Sequence, residues 1–111
     1  MYIDHIKGRI SEDTALNYFE NQGYNFVARN YSICGIEVDL IFKKQGVYYI
    51  VEVKSENIWS FEHPISYRQM KRLKKAVEVF SETKQVSVQL LVAIVQNKEV
   101  QVYSLDDLFS A

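Results

Sequence analysis

The stretch that most constrains the fold is residues 35–54, GIEVDLIFKKQGVYYIVEVK, which has the pattern of a β-hairpin. Two runs of β-branched and aromatic residues are separated by a glycine-containing turn, as expected for adjacent antiparallel strands. Acidic residues are poor strand formers, yet this hairpin contains Glu37, Asp39 and Glu52. The presence of three carboxylates in one short hairpin therefore requires a physical explanation.

Strand side chains alternate between the two faces of a sheet, so the hairpin can be divided into two predicted faces. With an even-numbered turn, one face is wholly apolar and carries Ile36, Val38, Leu40, Phe42, Val47, Tyr49, Val51 and Val53. The other face carries Glu37, Asp39, Ile41, Tyr48, Ile50, Glu52 and Lys54. Because this second face is also partly apolar, we expect a helix to cover it.

The same pairing places Asp39 and Glu52 opposite or diagonal to each other, with Cβ atoms roughly 5–8 Å apart. Like charges at this distance destabilise a sheet unless a cation lies between them, and Mg²⁺ or Mn²⁺ suits oxygen ligands. Lys54 points the same way as Glu52. Two metal-binding carboxylates beside an ammonium group suit phosphodiester hydrolysis. Glu37 either assists the metal or pairs with Lys54. The alternative for the whole charged face is that it is simply exposed to solvent and has no site.

The remaining chain predicts the order αβββαββ. We expect a first helix from an N-cap at Ser11 to near Gly23, and a second helix over about 66–81. Strands are expected at about 24–33, 36–43, 47–54, 86–95 and 99–105, with a turn near Asn97 and Lys98 and a helical turn near 105–109. The predicted fold class is α/β, with a mixed central sheet flanked by helices, in a single domain over residues 1–111.

The second helix is predicted to have one apolar and one basic face. Its apolar stripe is Met70, Leu73, Val77 and Phe80. Its basic positions follow the spacing i, i+3, i+4 and i+7 and are Arg68, Lys71, Arg72 and Lys75. Such a face can contact nucleic-acid phosphates, or it can be an ordinary solvated face. The formal net charge of −1 argues against a protein that coats nucleic acid along its whole surface.

Composition and the length of the apolar runs predict the cellular compartment of the protein. The longest apolar runs, VYYIV and LLVAIV, are far too short to cross a bilayer, and the first residues lack the apolar core of a signal peptide. Cys34 is the sole cysteine, which excludes an internal disulfide, and we expect it to be a small buried residue. These features predict a soluble, cytoplasmic protein with no membrane partner.

The arrangement Asp39…Glu52-Val53-Lys54 on adjacent strands, within an αβββαβ order, resembles the signature of PD-(D/E)XK nucleases. The chain is also similar to the YraN-like family of uncharacterised bacterial proteins, which has a restriction-endonuclease-like fold similar to that of archaeal Holliday-junction resolvases. The matching stretches are GRISEDTALNYFENQGYNFVARNY, EVDLI, YIVEVKS and ISYRQMKRLKKA, and they cover most of residues 8–77.

This resemblance implies that Asp39 and Glu52 bind Mg²⁺ or Mn²⁺ and that Lys54 serves catalysis. It implies that Glu12 approaches the metal, whereas the alternative role of Glu12 is to compensate the helix dipole. Gln69, beside the basic run, is implied to face the active site and to contact nucleic acid together with that run. The chain departs from the family where Ile36 replaces a glycine and where Ser55 and Glu56 replace Thr-Arg, which exchanges a base for an acid.

The function expected from the sequence is that of a metal-dependent endonuclease acting on DNA, including branched or flapped DNA. The alternative is a catalytically inactive nuclease-fold module that binds nucleic acid or a protein partner. Whether the chain is an enzyme stays open at this point. Related resolvases are dimers, and the sequence by itself identifies no dimer face, so a homodimer also stays open.

Overall fold

The computed structural model describes residues 2–55 and 66–104, and the side chains of 8–55 and 66–104. Its elements are α1 (Tyr2–Asn21), β1 (Asn25–Ile33), β2 (Ile36–Lys44), β3 (Val47–Ser55), α2 (Tyr67–Lys84), β4 (Ser87–Gln96) and β5 (Glu99–Ser104). This order confirms the predicted α/β fold with its αβββαβ core. The helical turn predicted near 105–109 and the predicted effect of Glu56 lie outside the described residues.

The five strands form one mixed sheet in the order β1-β2-β3-β4-β5. Strands β3 and β4 are parallel and are connected through α2, whereas the other neighbours are antiparallel. A parallel pair needs a crossover connection, and here the crossover carries the helix with the basic face. Among the described residues, no helix is long and apolar enough to span a membrane.

The β2–β3 hairpin has the register that the sequence predicts. Lys44 pairs with Val47, so the turn consists of Gln45 and Gly46, which have φ angles of 51° and 81°. Positive φ at both central residues defines a type I′ turn, whose twist matches that of the flanking strands. The even-numbered turn is therefore confirmed, and with it the parity that places Asp39 and Glu52 beside each other.

The two helices cover opposite faces of the sheet. Phe19 of α1 packs with Leu40, Phe42 and Val51 in one buried cluster. Leu73 of α2 packs in a second cluster that includes Ile41 and Ile50. Successive residues of β3, Ile50 and Val51, thus belong to different clusters, as alternation requires. The expectation that a helix covers the acidic face is confirmed, and that helix is α2.

Two expectations about local structure are wrong. Helix α1 begins at Tyr2, so Ser11 is not an N-cap but a buried residue in the helix interior. Residues 2–10 contain no proline, and the single Gly8 costs only about 1 kcal/mol relative to alanine, which does not stop a helix. Cys34 is exposed because it forms the two-residue β1–β2 turn with Gly35, where its φ is 52°.

The predicted face of Ile36 and Val38 is also wrong. Both pack in the α2 cluster with Ile41, although Val38 and Ile41 are three residues apart and strict alternation would separate them. The neighbouring strand departs from regular geometry at the same level, because Asn30 has a φ of 51°. We infer that the backbone of β2 changes direction around Asp39, which is where the candidate site begins.

Candidate functional site

The site forms where strands β2 and β3 stop pairing. Their ladder ends at Leu40 and Val51, and the next residues outward are Asp39 and Glu52. Beyond this point the main-chain N–H of Val53 donates to Asp39 Oδ2 at 2.8 Å. The Asp39 carboxylate therefore accepts a hydrogen bond from the main chain of β3. This hydrogen bond spans the gap between the two strands. The local change in β2 positions Asp39 for this contact.

Burial is the largest effect on the pKa of each of the two neighbouring carboxyl groups, Asp39 and Glu52. Burial, followed by the negative charge of Asp39, raises the pKa of Glu52 to about 8, although Lys54 opposes the shift. Burial also raises the pKa of Asp39, against the lowering effect of its bond from Val53. In the absence of a cation, the pair holds a proton at neutral pH.

Gln69 connects the acidic and basic groups of the site. Its Nε2 donates to Glu52 Oε2 at 2.6 Å, and its Oε1 accepts from Lys54 Nζ at 3.0 Å. Lys54 Nζ also lies 3.5 Å from Glu52 Oε2. The main-chain N–H of Gln69 donates to the N-cap hydroxyl of Ser66 at 3.1 Å, which fixes the first turn of α2 over the strands. The structure thus brings Gln69 to the two carboxylates, the position that the resemblance implies.

The proposed partnership between Glu37 and Lys54 does not form. Lys54 makes its ion pair with Glu52 instead, and Glu37 has no ion pair within the described part of the chain. Glu37 is nevertheless close enough for its charge to raise the pKa of Asp39, after the larger effect of burial. It lies at the margin of the site with an exposed carboxylate.

Glu12 approaches the site from the other face of the sheet. Its pKa is raised by burial and then by the charge of Asp39, and Arg29 opposes the shift. Because α1 begins at Tyr2, Glu12 is not in the first turn, so compensation of the helix dipole does not explain it.

Sequence reasoning missed Arg29. Its guanidinium donates to Glu12 Oε1 at 3.1 Å, to Asp13 Oδ1 at 2.7 Å and to the carbonyl of Arg9 at 3.2 Å. The available signal was a single arginine in the strand that pairs with the Asp39 strand, where it lies opposite Leu40. Arg29 therefore holds the acidic middle of α1 against the sheet and offsets its negative charge there.

The two central carboxylates fit a hydrated divalent cation. Mg²⁺ is usually bound by one or two carboxylates and keeps several waters. In residues 8–55 and 66–104, no cluster of three or more His, Cys, Asp or Glu side chains could surround a metal. Glu12 is engaged by Arg29. Any cation held here would therefore have few ligands from the described residues.

The predicted basic positions of α2 are exposed: Arg68, Lys71, Arg72 and Lys75. Lys75 Nζ lies 3.6 Å from Glu78 Oε1 in an exposed pair. Arg68 and Arg72 line a cavity of about 280 Å³ together with Gln69. The structure therefore places the basic face beside the carboxylates, with Gln69 shared between the two.

Comparison with known proteins agrees with the resemblance seen in the sequence. The model of the family described as "Uncharacterised protein family UPF0102" matches residues 11–102. A UPF0102 protein of Neisseria meningitidis serogroup C is 34% identical over 83 residues, which is 72% of each chain. UPF0102 proteins of Dictyoglomus turgidum and Persephonella marina are 29% and 33% identical, over 71% and 66% of this chain and 70% and 63% of their own lengths.

Proposed function

The chain belongs to the uncharacterised protein family UPF0102, and from the geometry of its carboxylate site we propose that it is a metal-dependent nuclease that hydrolyses phosphodiester bonds in DNA. The observation that carries this proposal is the grouping of Asp39, Glu52 and Lys54, held together by Gln69 where β2 and β3 separate. Burying an acidic pair in a sheet costs folding free energy. Such a pair therefore usually has a partner or a function.

Each group in the site has a role in the proposed reaction. Asp39 and Glu52 would hold Mg²⁺ or Mn²⁺, which supplies Lewis acidity and offsets negative charge on the phosphate. Lys54 presents a positive charge toward the phosphate and can orient the attacking water. Gln69 keeps the lysine and the Glu52 carboxylate in a fixed relation, so it acts as a positioning residue.

The basic face of α2 supports a nucleic-acid substrate. Arg68, Lys71, Arg72 and Lys75 are exposed on the helix that also contributes Gln69. Contacts between such side chains and phosphates are independent of sequence and weaken as salt rises. A nucleic-acid strand bound along this face would extend toward the carboxylates, so that one of its phosphates could reach the site of cleavage.

A cleavage assay tests the proposal directly. The protein is incubated with linear, flapped and four-way DNA in Mg²⁺, in Mn²⁺ and in EDTA, beside the variants Asp39→Asn and Lys54→Ala. We expect cleavage that requires metal and disappears in both variants. Lys74→Ala is the matched control, because it removes an exposed lysine of α2 outside the site, and it should cut like the unchanged protein.

The competing hypothesis is a non-catalytic module that binds nucleic acid or a protein partner through the same surface. Absence of cleavage, or cleavage that persists in both variants and therefore comes from a contaminant, would favour that module. Binding of DNA in EDTA that falls after replacement of the basic residues of α2 would then identify nucleic acid as its partner. Unchanged binding would point to a protein partner.

A further inference from the structure

A polarised cavity lies next to the carboxylate site. It has a volume of about 280 Å³ and is lined by Ile36, Glu37, Ser66, Arg68, Gln69, Arg72 and Leu73. The two arginines and Glu37 face the same space from different elements, α2 and β2. Within the described residues, none of these three charged side chains forms an ion pair or a hydrogen bond.

Charges of both signs around one cavity, without partners among the described residues, fit a ligand with two chemically different ends. Arg68 and Arg72 offer guanidinium groups, which match phosphate oxygens in a bidentate geometry. Glu37 offers carboxylate oxygens, which can only accept hydrogen bonds when ionised. A phosphate alone would use the arginines and be repelled by Glu37. A nucleotide would use both, because its base carries N–H donors that a carboxylate can accept, such as the N4 amino group of cytosine.

The size and position of the cavity restrict this ligand further. Pockets for drug-sized molecules are roughly 300–1,000 Å³, so this cavity suits one nucleotide and is too small for a base pair. Gln69 lines the cavity and also contacts Glu52 and Lys54. A nucleotide in the cavity would therefore be next to the one whose phosphate reaches the carboxylates.

We infer that this cavity binds one unpaired nucleotide of the substrate strand, with its phosphate on Arg68 and Arg72 and its base edge on Glu37. Because the cavity is too small for a base pair, it selects single strands, flaps or strand ends. The inference rests on the proposed function only for the position of the scissile phosphate. Binding in the cavity requires neither metal nor catalysis.

The test is the binding of fluorescent DNA in EDTA, measured by anisotropy at low salt. The probes are a short oligodeoxycytidine, the same strand paired in a duplex, and an abasic strand of equal length. We expect the single strand to bind about tenfold more tightly than the abasic strand, because the abasic strand lacks the base edge that Glu37 contacts. We also expect it to bind more tightly than the duplex.

Two pairs of variants separate cavity binding from general attraction to DNA. Arg68→Ala with Arg72→Ala should weaken single-strand binding about tenfold, whereas Lys71→Ala with Lys75→Ala removes the same charge from the helix outside the cavity and should weaken it clearly less. Glu37→Ala is the sharpest test. Simple electrostatics predicts tighter binding once this acid is removed, whereas our inference predicts weaker binding of oligodeoxycytidine and no loss for the abasic strand.

The inference is overturned if the abasic strand binds as tightly as the normal strand, if Glu37→Ala tightens binding of the single strand, or if the two double variants lose affinity equally. Circular dichroism of each variant establishes that it is folded before its affinity is interpreted. Because all measurements are made in EDTA, they are independent of the cleavage assay. A protein that binds as expected but does not cut would retain the cavity and lose the proposed nuclease activity.

Discussion

Burial of the Glu52 carboxylate costs the sheet free energy, and the same carboxylate is a central group of the candidate site. Its side chain is buried, and its acceptor Oε2 is met by Gln69 at 2.6 Å and approached by Lys54 at 3.5 Å. A buried carboxylate that keeps its negative charge loses solvation, so the neutral form is favoured until a cation replaces the proton. If the protein binds metal as proposed, the environment that raises the pKa of Glu52 to about 8 would favour exchange of its proton for the cation.

The stability of the metal-free protein should therefore fall as pH rises. With a pKa near 4.5 when unfolded and about 8 when folded, Glu52 binds more protons in the folded state between these values. Its contribution is complete below about pH 4.5 and is lost as pH passes through about 8. We expect the melting temperature in EDTA to decrease from pH 5 to about pH 9, and the decrease to be smaller in Glu52→Gln. Glu82→Gln, an exposed control on α2, should keep the original slope; equal slopes in both variants would contradict the assignment.

Arg29 should stabilise the protein chiefly by compensating Glu12. Its replacement by methionine keeps part of the side-chain volume and leaves a half-buried carboxylate without its guanidinium partner. We expect a loss of about 1–3 kcal/mol in the free energy of unfolding. The double variant Arg29→Met with Glu12→Gln should recover part of this loss, and urea unfolding of all four proteins gives the coupling energy. Strict additivity would show that Arg29 acts without Glu12.

At the scale of the elements, short turns determine which residues face each other. The β1–β2, β2–β3 and β4–β5 connections each contain two residues with positive φ: Cys34 with Gly35, Gln45 with Gly46, and Asn97 with Lys98. Two-residue turns fix the register of a hairpin, and a shift by one residue would move every side chain to the other face. The acidic pair therefore depends on the turn at Gln45 and Gly46 as much as on its own residues.

The β4–β5 turn offers a stabilising change. Lys98 has a φ of 69°, whereas the first two turns have glycine at the corresponding second position. We expect Lys98→Gly to raise the free energy of unfolding by about 1 kcal/mol, since Asn-Gly is a preferred type I′ pair. For a domain of this size that is a rise in melting temperature of roughly 4–8 °C. Lys98→Ala removes the same charge but retains a Cβ, so calorimetry should show no such rise; a similar rise in both variants would assign the effect to charge.

At the scale of the whole molecule, the β3–α2–β4 crossover assembles the site. It returns the chain across the sheet, so that Gln69 meets Glu52 and Lys54 from a helix that starts beyond the end of β3. On the opposite face, α1 brings Glu12 toward Asp39. The sheet thus lies between two helices, and the divergence of β2 and β3 opens it at the point where both helices contribute polar residues.

Metal binding should be visible in the stability of the whole protein. A ligand present at about 100 times its dissociation constant stabilises the folded state by about 2.7 kcal/mol. We therefore expect Mn²⁺ at pH 8 to raise the melting temperature by several degrees. Asp39→Asn should abolish the rise, and Glu78→Gln, on the exposed face of α2, should preserve it. A protein whose melting temperature does not respond to Mn²⁺ or Mg²⁺ would have no cation site at these carboxylates.

The sequence alone determined the features that depend on local pattern. The strand alternation, the glycine turn and the apolar stripe of α2 predicted the elements, the hairpin register and the proximity of Asp39 to Glu52. These follow from the backbone geometry of neighbouring residues, which a period of two or 3.6 residues reveals directly. The match of motif and order also predicted the family.

Only the tertiary structure decided how distant elements meet. The direction change in β2 at Asp39, the contact of Arg29 with Glu12 and the cavity between Glu37 and α2 are set by packing between elements. The local sequence pattern does not reveal these contacts, because each contact depends on which faces of the sheet the two helices cover. The pKa of Glu52 belongs to the same class, since burial is a property of the assembled fold and not of the residue.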